Sequence, residues 1–265
     1  SITKADVVFI TTKTYDTVKA AKKIQHLVKS GAYVVIIQNG IGTEKLVAKA
    51  LNTSRVLRAT TCMGALITKY GEVTITGDGL TEVGTHYPEH QILVENIVDM
   101  LNEAGFNVRS SDNIDGVVWT KTVVNCGINP IGALTGMKNG DVYSNKVLRE
   151  LVVRLVEETA RVADALEISL TTENPIRYTL GTAKATSENI NSMLQDILAG
   201  KRTEIDSITG EVIRIGHELG IATPVSETVY ALIKAIESKY IDTEGEKPSE
   251  ARLTPEELLE VLSTP

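Results

Sequence analysis

Two short runs constrain this chain more than anything else in it. Ala5–Thr11 is a nearly continuous series of Val, Phe and Ile, and Tyr33–Ile37 is a second. Neither alternates apolar with polar residues, so a strand built from either has both faces covered. Between them Asp16–Val28 has the length and polarity of a helix, closed by Ser30 and Gly31. A buried strand, a helix and a second buried strand make a parallel α/β unit, because the crossover brings the chain back to pair in the same direction.

The alternation continues. Asn39–Glu44 is a loop opening into a helix at Lys45–Leu51, and Arg55–Thr61 reads as a third strand. From Gly64 to Gly84 short β-branched runs are broken by glycine, and the Gly-Asp-Gly at 77–79 suits a tight turn, so an antiparallel hairpin is expected and the sheet becomes mixed. His90–Ala104 is helical again, capped by Gly105, with a short strand at Phe106–Arg109. Beyond Ser110 helices take over, at Ile114–Gly127, Asn145–Leu166, Ser187–Ala199, Glu204–Leu219 and Val225–Lys239. The expected organisation is an α/β part over 1–111 and a helical part over 112–265, with Pro255–Leu262 as a short terminal helix.

At 265 residues with a net charge of −7, the chain has no polycationic footprint for nucleic acid or an anionic membrane. Its apolar runs are strand-sized, and SITKADVVFITTK does not resemble a signal peptide. Cys62 and Cys126 form no metal-spacing cluster and suit a reducing compartment, so the cytoplasm is expected, with Cys62 a buried structural thiol. The histidines, His26, His86, His90 and His217, form no ligand series, and no metal is expected. Apolar helix stripes serve a homodimer or an intramolecular core equally, which leaves the oligomeric state open.

The chemistry lies in two segments. In WTKTVVNCGINP, Lys121, Asn125 and Asn129 follow one another at intervals of four, so a helix sets one ammonium and two carboxamides on one face. In NINSMLQDILAGKRTEID, Asn189 and Ser192 are three apart and Glu204 follows. Each has a plain alternative: Asn129 can end its helix before Pro130, Asn189 or Ser192 can be an N-cap, and Glu204 can pair with Lys201 or Arg202. Asn139 in KNGDV is a pocket residue or an Asn-Gly turn. In the first half, Lys13 follows the first strand, and Asn39 and Gly40 follow the second, at strand ends where open α/β sheets hold ligands.

Taken jointly, QNGIG, WTKTVVNCGINPIGAL, KNGDV and NINSMLQDILAGKRTEID resemble the 2-dehydropantoate 2-reductase, or ketopantoate reductase, family from the first strand to about Tyr240. That resemblance implies a Rossmann-like cofactor domain followed by an all-helical C-terminal domain like that of 6-phosphogluconate dehydrogenase, with the active site in the cleft between them. It implies an oxidoreductase that uses NADPH or NADH to reduce 2-dehydropantoate to pantoate, on the route to pantothenate and coenzyme A. The family's glycine-rich GxGxxG turn has no counterpart in this sequence. By the resemblance the chain starts at the fourth strand of the cofactor domain, and the choice between NADH and NADPH is not readable.

The same resemblance assigns roles. Lys121 becomes the general acid that protonates the developing alkoxide; an ordinary lysine, near pKa ~10.4, needs burial or a second cation to release its proton easily. Asn125, Asn129, Asn189 and Ser192 hold the substrate, with Ser192 on its carboxylate and Asn189 helping close the polar pocket, while Asn139 stays a pocket or gate candidate. Glu204 orients Lys121 or accepts from the nicotinamide ribose, and Lys13, Asn39 and Gly40 meet the cofactor. A reductase of a related branched 2-oxo acid is the nearest alternative. A noncatalytic binding fragment is the alternative from another class.

Overall fold

The structure, a computed structural model, describes residues 2–69 and 71–241. It divides into two compact units, residues 1–66 with 74–118, and residues 67–73 with 119–265. The terminal helix expected at 255–262 lies outside the described residues.

The first unit is built on a five-stranded sheet. β1 (Val7–Ile10), β2 (Tyr33–Ile36) and β3 (Val56–Thr61) are parallel neighbours, with Val8 opposite Val34 and Val35 opposite Leu57. β4 (Gly64–Lys69) and β5 (Glu72–Gly77) form a separate two-stranded ribbon, and β6 (Thr81–Gly84) joins β3 antiparallel, with β7 (Val108–Ser110) parallel beyond it. The sheet is therefore mixed, as expected. The ribbon turns at Gly71, whose φ of 82° is left-handed, and not at the Gly-Asp-Gly of 77–79, which instead leads from β5 to β6.

Side chains alternate across a strand, so an unbroken apolar run supplies both faces. Val34 and Ile36 pack with Ala21 and Val28 of α1 (Thr17–Lys29) and Val47 and Leu51 of α2 (Thr43–Leu51) on one side. Val35 points the other way, to Val94, Ile97 and Val98 of α3 (Gln91–Glu103). All three strand residues are fully buried, and at ~25 cal/mol per Å² each such side chain contributes about 1.5–3 kcal/mol of transfer free energy.

The second unit is helical: α4 (Ile114–Thr135, entering from the first unit), α5 (Asn139–Ser144), α6 (Lys146–Ala165), α7 (Pro175–Ala185), α8 (Ser192–Leu198), α9 (Glu211–Leu219) and α10 (Pro224–Glu237). Leu155 and Val156 of α6 pack with Val123 and Ile131 of α4 and Val229 of α10. α4 does not stop at Gly127. A Cβ there would sit 2.9 Å from Val156 Cγ2, so this glycine lets α4 approach α6 closely. The helix also runs through Pro130, giving up one backbone hydrogen bond. The sequence reading missed α5 and α7, and started two helices early. α8 begins at Ser192 and not at 187, and α9 follows a π-helical turn, Asp206–Gly210, in place of a helix from Glu204.

Among the described residues no helix is long and apolar enough to cross a membrane. The thiols reverse one expectation. Cys62 is exposed, because it falls past the end of β3, while Cys126 on α4 is buried and its thiol is pushed up to about 11 by burial. A thiol reagent such as Ellman's should titrate Cys62 on the native protein and Cys126 only after denaturation. Rapid reaction of both thiols, or of neither, would contradict this burial.

Candidate active site

Polar loops gather where the parallel strands β1 and β2 end. The buried Gln38 follows β2 and reaches sideways to the loop after β1, its Nε2 donating to the Thr12 carbonyl, to Thr12 Oγ1 at 3.2 Å and to the Lys13 carbonyl at 3.2 Å. Its Oε1 accepts from Thr17 Oγ1 of α1 at 2.9 Å. One carboxamide thus holds the backbone of Lys13 beside Asn39 and Gly40. Gly40 and Gly42 have φ of 84° and 71°, which a side chain would strain, so the turn into α2 requires glycine at both.

Behind this loop lies a buried ion that the sequence reading passed over. Arg58 of β3 is 2% exposed, and its Nη2 donates to the carbonyls of Gln38 at 2.7 Å and Gly40 at 2.9 Å. Its Nη1 donates to Thr43 Oγ1 and lies 3.7 Å from Glu44 Oε2. Glu44 Oε1 is 3.5 Å from His86 Nε2, and His86 Nδ1 is 3.4 Å from Asp115 Oδ2. Positions 44, 86 and 115 meet because Gly84 lets the chain pass against Ser111 and Ile114, where a Cβ would fall 2.7 Å from each.

The charges in this group tune one another. Hydrogen bonding to Asp115, then to Glu44, raises His86 to about 9 despite partial burial. Burial acts to raise Glu44, but the His86 hydrogen bond and the Arg58 charge together hold it below the usual carboxylate value. The readable signal was Arg58 itself, a charge placed in the middle of an otherwise strand-like run.

In the second unit α4 is continuous from 114 to 135, so Lys121, Asn125 and Asn129 share one face. Lys121 and Asn125 are half-buried and Asn129 is 5% exposed. Asn129 ends no helix, since the helix continues past Pro130. Asn139 makes no Asn-Gly turn either; it is the first residue of α5 and buried, its Nδ2 donating to Thr186 Oγ1 at 2.9 Å while its Oδ1 accepts no hydrogen bond. The backbone N–H of Asn139 donates to the Asn189 carbonyl at 3.0 Å, and that of Gly140 to the Ser187 carbonyl at 3.0 Å, which brings Asn139 and Asn189 together.

Neither Asn189 nor Ser192 caps α8. Asn191 does, its Oδ1 accepting from Leu194 N at 3.0 Å, and both candidates are left exposed on either side of it. Glu204 is 7% exposed in the segment before the π turn. That segment is anchored on both sides of it. Thr203 N and Oγ1 each donate to Glu237 Oε1 at 2.7 Å, and Asp206 accepts from Arg202 at 3.0 Å, Lys234 at 3.1 Å and Tyr230 at 2.7 Å. Burial works to raise Asp206, and these three donors more than offset it. Lys13, Asn39 and Gly40 therefore lie in the first unit, and Lys121, Asn125, Asn129, Asn139, Asn189, Ser192 and Glu204 in the second.

A nicotinamide dinucleotide fits the first unit at one end. The strand-end loops, with left-handed glycines at 40 and 42, leave the backbone open to close approach by a dinucleotide. No GxGxxG turn for the pyrophosphate occurs in the chain.

The ketopantoate reductase PanE/ApbA model matches residues 1–88, and its C-terminal counterpart matches residues 113–237. A 2-dehydropantoate 2-reductase of Pyrococcus horikoshii is 36% identical over 237 residues, covering 89% of this chain and 77% of that protein. The ternary structure of D-mandelate dehydrogenase with NADH and anilino(oxo)acetate superposes with a TM-score of 0.83 at 26% identity, over 90% of this chain and 78% of that one. A PanE/ApbA family ketopantoate reductase from Ralstonia eutropha gives 0.80 at 29% identity, over 89% and 76%. With both halves matched in order and more than a third of the aligned residues shared with a relative matched over 77% of its length, the chain belongs to the ketopantoate reductase family.

Proposed function

We propose that the protein is an NAD(P)H-dependent oxidoreductase that reduces the ketone of 2-dehydropantoate to the alcohol of pantoate, the reaction named for its Pyrococcus relative. The observation that carries this reading is the unbroken α4, which sets an ammonium and two carboxamides in a row on one half-buried face. Bound reduced nicotinamide supplies the hydride. Lys121 stabilises the negative charge developing on the carbonyl oxygen and gives up the proton that completes the alcohol. Asn125 and Asn129 bind the substrate's polar groups without setting a second cation beside that lysine. The Ser192 hydroxyl takes the substrate carboxylate and Asn189 helps close the pocket, with Asn139 beside it as a further pocket residue.

Glu204 orients Lys121 or accepts from the nicotinamide ribose, and the anchoring of Thr203 and Asp206 gives it a fixed backbone from which to do so. Lys13, Asn39 and Gly40 serve the dinucleotide, so the cofactor-binding part corresponds to 1–111 and the substrate-binding part to 112–265.

The likeness to D-mandelate dehydrogenase favours a second reading, reduction of a related 2-oxo acid. Oxidation of NADPH and NADH, followed with ketopantoate and with its analogue lacking the hydroxyl, separates the two. A site built for that hydroxyl should favour ketopantoate in kcat/KM by on the order of 10⁴-fold. Equal turnover of both would support the second reading, and turnover of neither a noncatalytic role.

A further inference from the structure

A guanidinium cannot shed its proton when buried, and Arg58 is tolerable in β3 because both of its terminal nitrogens are engaged. What it is used on is specific. The two carbonyls it holds, those of Gln38 and Gly40, flank Asn39, and the loop they belong to has left-handed glycines at 40 and 42 and lies outside any strand or helix. With no regular ladder to define this backbone, the fork of Arg58 defines it, together with Thr43 at the start of α2.

We propose that Arg58 is a positioning residue for the reaction, clamping the Gln38–Gly42 backbone in the shape that receives the nicotinamide end of the dinucleotide, and that the Glu44–His86–Asp115 chain behind it holds the clamp. The proposal rests on the reductase reading given above. His86, Glu44 and Asp115 offer ligand atoms within 4.8 Å of one another, a grouping that also suggests a cation. The Arg58 charge already stands 3.7 Å from Glu44, and each imidazole nitrogen faces its own carboxylate, as an imidazolium does.

The imidazolium makes the clamp sensitive to pH. The charged groups around His86 are Glu44 from α2 and Asp115 from α4, with Lys45 of α2 and Arg58 of β3 acting on Asp115. His86 is raised from 6.5 to about 9, so its contribution is fully present below about 6.5 and is lost as pH rises through about 9.

Backbone amide exchange across 37–46 in the cofactor-free protein, paired with NADPH affinity from nucleotide fluorescence, tests this in wild type, R58M, R58K and H86Q. R58M should exchange about tenfold faster across Asn39–Thr43, after correction for intrinsic rates, and bind NADPH about tenfold more weakly. The KM for ketopantoate at saturating NADPH should stay within about twofold. R58K should not rescue, because an ammonium lacks the planar fork.

In wild type the loop should loosen as pH passes from 7 to about 10, and H86Q should show the loosened rate already at pH 7 with little further change. Wild-type loop exchange in a folded R58M or H86Q would overturn the clamp whatever the activity, and H86Q decides if R58M does not fold. Tight Zn²⁺ binding that H86Q abolishes would overturn the imidazolium role. Faster loop exchange in R58M, in a protein that binds no dinucleotide even as wild type, would overturn the reductase reading and with it the loop's cofactor role.

Discussion

K121A should lower kcat by about 10² to 10⁴-fold while leaving dinucleotide affinity near that of wild type. The expectation separates chemistry from binding. Lys121 is a half-buried residue of the second unit on the same face of α4 as Asn125 and Asn129, and its proposed task arises only when charge builds on the ketone oxygen. A group used mainly in the transition state lowers kcat and kcat/KM together when it is removed. Steady-state kinetics on ketopantoate, with cofactor titration by fluorescence, check both quantities. A K121A protein retaining more than about a tenth of wild-type kcat would remove the lysine from the chemistry. Loss of dinucleotide binding would instead assign it to the cofactor.

The largest stability effect should come from Glu158, which the sequence reading did not single out. This α6 carboxylate is 4% exposed and accepts from Val225 N at 3.0 Å, Ser226 N at 2.8 Å and Ser226 Oγ at 2.7 Å, at the start of α10. The N-cap residue Thr223 makes no side-chain cap bond of its own, so a neighbouring helix satisfies donors that would otherwise be orphaned. Removing the carboxylate as E158A leaves three donors, two of them buried, without their acceptor, and should cost about 3 kcal/mol, or roughly 6–12 °C in Tm.

Arg214, by contrast, pairs with Glu211 and Glu218 at the surface, and R214A should change stability by less than about 0.5 kcal/mol. Thermal and denaturant melts of both variants test the contrast. Equal effects would mean that burial does not govern the strength of these contacts.

The two cases show what is legible from a chain. Arg214 and its partners are i,i+3 and i,i+4 neighbours, visible on a helical wheel. Glu158 and Ser226 are 68 positions apart and belong to one structure only after α6 and α10 have packed. The same distinction runs through the candidate site. Lys121, Asn125 and Asn129 were readable because a helix converts a spacing of four into a shared face. The cluster of Glu44, His86 and Asp115 was not, since no local periodicity relates three residues on different elements.

Secondary structure follows the same rule. The strands of the first unit could be read because their unbroken apolar runs have no other stable use than burial on both faces. Glycine was the less dependable mark. At Gly71 and Gly105 it permits left-handed backbone, whereas at Gly127 it sits mid-helix for close packing on Val156, and composition alone does not distinguish these uses. Asn191, and not Asn189 or Ser192, caps α8 for a similar reason. Three polar residues within NINS are all acceptable caps, and the backbone between Ile190 and Met193 selects one.

By itself the sequence determined the parallel α/β start, the helical second half, the face of α4 and the family, because these depend on local periodicity or on joint motifs. Tertiary structure alone decided that Gln38 and Arg58 hold the loops at the ends of β1 and β2, that Glu237 and Asp206 anchor the segment bearing Glu204, and that Cys62 is exposed while Cys126 is buried. Each of these depends on groups far apart in the chain, whose hydrogen bonds and burial exist only once the core has excluded water around them.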